Sequence, residues 1–151
     1  VYKLAAVENE QGEIIPKIKV SENTAKITNP HYKKLYRYYD RESGKALADE
    51  LCIWDETVDG SLPHTIFDPN AVWKTKTLTD FQVRALQVPV FQAGKCVYDP
   101  PALEEVRSYC AGQVETLWDE VKRFENPHAY YVDLSQRLWE EKNRLLEQAG
   151  T

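Results

Sequence analysis

The sequence predicts an α+β fold, with antiparallel strands and hairpins in the first two-thirds followed by two C-terminal antiparallel helices. Three observations predict it. Short apolar and aromatic runs separated by Gly, Asn and Pro turn signals fill the chain up to Tyr98. Past Pro100-Pro101 the apolar residues recur every three or four positions. The 151 residues are 42% hydrophobic and 28% charged, a balance of folded rather than disordered chains. A chain of this size buries on the order of two-thirds of its unfolded surface.

Tyr2 to Val7 is an apolar, β-prone run, and Asn9 to Gly12 is a turn. Ile14 to Val20 alternates as a strand would, with Ile14, Ile18 and Val20 on one face and Lys17 and Lys19 on the other. Asn29-Pro30 marks the next turn. Lys34 to Asp40 (KLYRYYD) and Lys45 to Trp54 read as a hairpin through Arg41-Glu42-Ser43-Gly44, where Gly44 is free to take positive φ. Asp59-Gly60 is a further turn signal. His64 to Phe67 and Val72 to Leu78 are extended runs, and a strand places Lys74 and Lys76 on one face. Pro89 reduces Phe81 to Phe91 to a short strand or an irregular link. Ala93-Gly94 then turns the chain into Lys95 to Tyr98.

In the last third, Leu103, Val106, Cys110, Val114, Leu117, Val121 and Phe124 form the stripe of one amphipathic helix. Asp99 is its candidate cap, and Asn126-Pro127 stops it. A second helix is expected from Asp133, with Gln136 three residues on in a capping-box pattern and Leu134, Leu138, Trp139, Leu145 and Leu146 on its apolar side. The division is thus a β-rich segment, 1–98, and a two-helix segment, 99–151. The absence of methionine and the start at Val1, in what reads as mid-strand, leave two readings open: a piece of a longer protein, or an ordinary processed domain. Gly150-Thr151 reads as the natural end of the chain.

The net charge is −5, which argues against a whole-protein nucleic-acid binder. The mean hydropathy of −0.58 leaves no room for a run of about 20 apolar residues, so no membrane span is expected. Charge is uneven. Lys17, Lys19, Lys26, Lys33, Lys34 and Arg37 face only Glu22 between Ile14 and Arg37, whereas the stretch from Asp99 on is acidic. Such a basic front suits a local anion site. Cys52, Cys96 and Cys110 lack metal-ligand spacing and read as cytosolic thiols, so no metal site is expected. His31, His64 and His128 are isolated and read as surface or capping residues, and no nucleotide, hydrolase or metalloprotease motif occurs. No catalytic residue is therefore assigned. Lys17, Lys19 and Ser21 alternate, which sets two ammonium groups and a hydroxyl on one side, an arrangement suited to phosphate oxygens. The same row also serves as a lysine-dressed strand edge that discourages pairing. The aromatics Tyr36, Tyr38, Tyr39, Trp54 and Trp73 read as cross-strand pairs or as stacking platforms.

The segments VYKLAAVE, IPKIKVSENTAKITNP, KKLYRYYD, GKALADE, TIFDPNAVWKTKTL, VPVFQAGKCVYDPPALEEVRSYC and FENPHAYYVDLS occur in an order that resembles the C-terminal part of the nicotinate phosphoribosyltransferase family. The resemblance runs through almost the whole chain. It implies that the chain completes a sandwich-like domain flanking an irregular α/β barrel. The family joins nicotinate to phosphoribosyl pyrophosphate with ATP hydrolysis, making nicotinate mononucleotide for NAD synthesis. It implies cytoplasmic location, Mg and ATP used by the intact enzyme with no cofactor held by this segment, and catalytic residues upstream. The implied partners are the rest of the same chain, a second subunit of a homodimer, and the phosphates of phosphoribosyl pyrophosphate or ATP. It singles out Lys3, with Lys17 and Lys19, as phosphate contacts beside Ser21. Two departures stand out: His31 where the family often has glycine after a Thr-x-Pro turn, and Ala102 where it often has serine at the first long helix. The alternative reading is a stand-alone α+β binding or interaction module with an anion-binding basic strand.

Overall fold

In the computed structural model, which describes residues 3–150, the chain is α+β, with antiparallel hairpins followed by C-terminal helices. The expected strand start at Tyr2 and the chain limits at Val1 and Thr151 lie outside the described residues. The first hairpin pairs β1 (Ala6–Glu8) with β2 (Ile14–Pro16), and a 3-10 turn follows at Thr24–Lys26. The central hairpin is β3 (Lys33–Asp40) with β4 (Ala46–Ile53). It turns at Gly44 with φ +67°, and the Asp40 carboxylate accepts from the Ser43 amide and hydroxyl at 2.7 and 2.6 Å. A second hairpin joins β5 (His64–Asp68) to β6 (Ala71–Leu78), and β7 (Phe81–Ala85) returns to β3. A minimal pair, β8 (Phe91–Gln92) and β9 (Lys95–Cys96), precedes α1 (Leu103–Glu115), α2 (Asp119–Lys122), β10 (Val132–Leu134) and α3 (Gln136–Ala149).

The main sheet has the order β10-β4-β3-β7, with β10 parallel to β4. Strand alternation sends Tyr36, Tyr38, Ala48 and Cys52 to one face, and Tyr38 sits opposite Ala48, so a large ring fills the space beside a small side chain. Ile66 and Leu78 of the β5–β6 hairpin and Phe81 close over that face. A second cluster of Ile53, Leu134 and Leu138, flanked by Leu51 and Trp139, seats α3 on β4.

Four expectations need correction. The alternating strand from Ile14 to Val20 stops at Pro16: the Lys17 amide still donates to the Ala5 carbonyl at 2.8 Å, in register with β1, but the Lys19 amide turns away to the Thr28 hydroxyl at 2.9 Å. The helix expected to run on to Phe124 ends at Glu115. There Lys45, just before β4, and Ala46, its first residue, take the free carbonyls: Lys45 Nζ donates to Glu115 at 2.8 Å and to Leu117 at 3.2 Å, and the Ala46 amide donates to Thr116 at 2.8 Å. Asp99 is not its cap. Ala102 holds that position without a side-chain bond, and the Glu105 carboxylate accepts from the Ala102 amide at 3.1 Å. Asp133 does not open the last helix. It lies in β10, drawn onto the open edge of β4, and Ser135 is the cap, accepting from the Leu138 amide at 3.2 Å.

Candidate functional site

The stretches carrying Lys3, Lys17 and Lys19 are held by backbone bonds, and these three residues are exposed. Ser21 is half-buried. The Ala5 carbonyl accepts from both Lys17 and His31, at 2.8 and 2.7 Å, so the strand following Lys3 is tied to the stretch carrying Lys17. Among the described residues, no carboxylate pairs with the Lys3, Lys17 or Lys19 side chain. His31, standing where the family often has glycine, does take positive φ, at +79°. Its imidazole Nδ1 accepts from the Tyr32 amide at 2.9 Å, a local bond that offsets part of the strain. Lys33 ties the loop together by donating to the carbonyls of Asn29, Pro30 and His31 at 2.9, 3.0 and 2.7 Å. Burial pushes the Lys33 pKa down.

Sequence reasoning missed the polar groups inside the sheet. Arg37 forks onto Asp49 at 2.7 and 2.8 Å, and the Tyr130 hydroxyl donates to the same carboxylate at 2.9 Å. Asp49 holds the guanidinium more firmly protonated than usual. On the opposite face Glu50 accepts from the Tyr38 hydroxyl and meets His64 Nε2 at 2.8 Å. Burial and the Glu50 charge push the Tyr38 phenol up, and burial does the same to the neighbouring Cys52 thiol, which therefore stays protonated and is no nucleophile. His64 is thus no lone surface histidine. It stacks on Tyr38 with ring centroids 5.2 Å apart and borders a cleft of about 550 Å³ with Glu56, Ser135 and Trp139. The signal was available: Glu50 shares the alternation of Ala48 and Cys52, which puts a carboxylate on the apolar face.

Asp133 is in register with Glu50 across the β10–β4 pair. Its carboxyl is pushed up to about 6, first by burial and then by the charges of Asp68 and Glu50. Lys74 and Lys76 share a cleft of about 800 Å³ with Trp118, His128 and Tyr131. Lys74 is 4.0 Å from Asp68, and Lys76 lies 6.0 Å above the Tyr131 ring. Tyr36 and Tyr38 are core residues, while Trp54 stacks on Tyr32 at 4.7 Å and Trp73 faces outward. No three His, Cys, Asp or Glu side chains among the described residues converge on a metal position. No helix among them is long and apolar enough to cross a membrane. The described residues therefore offer paired interior charges at Arg37–Asp49 and Glu50–His64, a buried Asp133, two open clefts and exposed lysines.

Residues 32–142 match the sequence profile of the nicotinate phosphoribosyltransferase C-terminal domain. The chain belongs to the nicotinate phosphoribosyltransferase family. It is 32% identical over 98% of its length to the nicotinate phosphoribosyltransferase of Bacillus subtilis (strain 168), covering 30% of that protein. It is 30% identical over 96% of its length to the enzyme of Dictyostelium discoideum, covering 25% of it. The crystal structure of human nicotinic acid phosphoribosyltransferase superposes with a TM-score of 0.70 at 28% identity, over 79% of this chain and 24% of that one. The chain thus spans under a third of the length of these relatives. The β3–β4 sheet, the β5–β6 hairpin and the first half of α3 lie within the profile match, whereas Lys3, Lys17, Lys19 and Ser21 precede it.

Proposed function

We propose that this C-terminal domain serves an enzyme that joins nicotinate to phosphoribosyl pyrophosphate with ATP hydrolysis, forming nicotinate mononucleotide for NAD synthesis. The observation that carries the reading is the profile match over residues 32–142, supported by the relative at 32% identity. The catalytic groups lie in the remainder of the enzyme, which works in the cytoplasm as a homodimer. Mg accompanies ATP there, beside the catalytic groups of that remainder.

The domain's own contribution is electrostatic. Lys3, Lys17 and Lys19 offer exposed ammonium groups and Ser21 a hydroxyl to ligand phosphates, with the backbone ties at Ala5 limiting how far the two stretches separate. The test has two arms. The 151-residue chain forms no nicotinate mononucleotide, whereas the intact enzyme does; product from the pure chain overturns the assignment of the catalytic groups. In the intact enzyme, Lys3→Ala raises the KM for phosphoribosyl pyrophosphate severalfold with little change in kcat. Unchanged kinetics remove Lys3 from the phosphate site.

A further inference from the structure

Helix α1 carries an apolar stripe that no buried cluster among the described residues takes up. Leu103, Val106, Cys110 and Val114 follow one another at spacings of three and four, and all are exposed, Leu103 by 71%. The side of α1 that meets the sheet is polar. Tyr109 accepts from Arg84 Nη2 at 3.1 Å, and Gln113 accepts from the Tyr39 hydroxyl at 3.2 Å. At 3.6 residues per turn, those two positions lie roughly a quarter-turn from the stripe. The helix is therefore oriented by polar bonds and by the Lys45 cap, with its hydrophobic side turned away from the sheet. From Gln82 to Val132 no residue is buried, although this stretch also holds Phe91, Val97 and Phe124.

We propose that the Leu103–Val106–Cys110–Val114 stripe is the seat of the portion of the enzyme that the relatives carry outside the matched region. This rests on the assignment of the chain as one domain of a larger enzyme. The amount of protein outside the chain favours that occupant over a second copy of this domain: the chain spans 30% of the Bacillus relative and 24% of the human one. A well-formed helix with an exposed stripe is what a domain looks like when the surface that it packs on lies elsewhere.

Cys110 lies within the stripe and reports on it directly. Cys52 is buried in the sheet and serves as the internal reference. In the intact enzyme, maleimide labelling of Cys110, followed by peptide mass spectrometry, is expected to be at least tenfold slower than in the urea-unfolded enzyme, approaching the protection of Cys52. Labelling near the unfolded rate overturns the proposal. Protection that disappears on dilution to the monomer also overturns it, in favour of a second copy. Nicotinate mononucleotide formation by the same preparation is scored separately. An active enzyme with reactive Cys110 loses the docking surface alone, and an inactive one with protected Cys110 loses the proposed reaction alone.

Discussion

Lys33 to Phe81 and Gln82 to Val132 treat the same kinds of side chain in opposite ways. In the first region Tyr38, Ile66, Leu78 and Phe81 are almost wholly removed from water, and the charged residues of the sheet find partners across strands, as Arg37 does with Asp49. In the second, Phe91, Leu103 and Val106 remain in solvent, and the contacts that hold the segment are largely polar. The difference teaches that periodicity identifies an apolar face without identifying what covers it. A hairpin brings its own cover because its strands are neighbours in sequence. A helix such as α1 needs a surface from elsewhere.

The largest test of this contrast is Phe81→Ala. The ring meets Tyr38 edge-on at 5.4 Å and caps the junction of sheet and hairpin. Its removal leaves a cavity where both layers meet, and the expected loss of unfolding free energy is about 3–5 kcal/mol. Urea denaturation followed by tryptophan fluorescence measures it. A loss below about 1 kcal/mol means that the first region is as loosely covered as the second.

The same contrast governs what could be read beforehand. The β3–β4 hairpin was legible because KLYRYYD, its Gly44 turn and the following alternation all agree. The departure from glycine at His31 put the turn geometry in doubt, and the positive φ there is kept all the same, with the Nδ1 bond to the Tyr32 amide beside it. The strand β10 was not legible: three residues carry too little periodicity, and the reason for the strand is the open edge of β4, which lies far away in sequence. The break after Glu115 was hidden for a like reason, since the carbonyls there are taken by Lys45 and Ala46, far away in sequence. Lys17 and Lys19 are exposed, but the strand that would align them depends on pairing that the Thr28 hydroxyl displaces at Lys19. Asp133 was taken for a helix cap, and only tertiary pairing puts it beside Glu50.

Asp133 gives the next test, because it is the interior charge whose side chain has no cationic partner among the described residues. Its pKa lies above its ordinary value of 3.8, at about 6, so the folded state prefers the protonated acid. The associated stability is fully present below pH 3.8 and is lost as pH rises through about 6. Asp133→Asn removes that loss. The variant is expected to match the parent at low pH and to exceed it by up to about 3 kcal/mol at pH 7.5. Paired urea titrations across this range check it. A difference that stays constant with pH means that a cation already compensates the carboxylate, which would make the interior more fully satisfied than the contacts above indicate.

Leu103→Ala carries the smallest expected effect and bears most directly on the second region. Leucine and alanine have similar helix propensities, so the substitution chiefly tests side-chain cover. In the 151-residue chain the side chain is 71% exposed, and its truncation should alter stability by no more than about 0.5 kcal/mol. The contrast with Phe81 then reads as a difference in cover, since both substitutions remove a large apolar group. A loss approaching that of Phe81→Ala would require Leu103 to be packed within the chain itself. The stripe would then belong to the domain's own core, and the opposition between the two regions would fail at its clearest point.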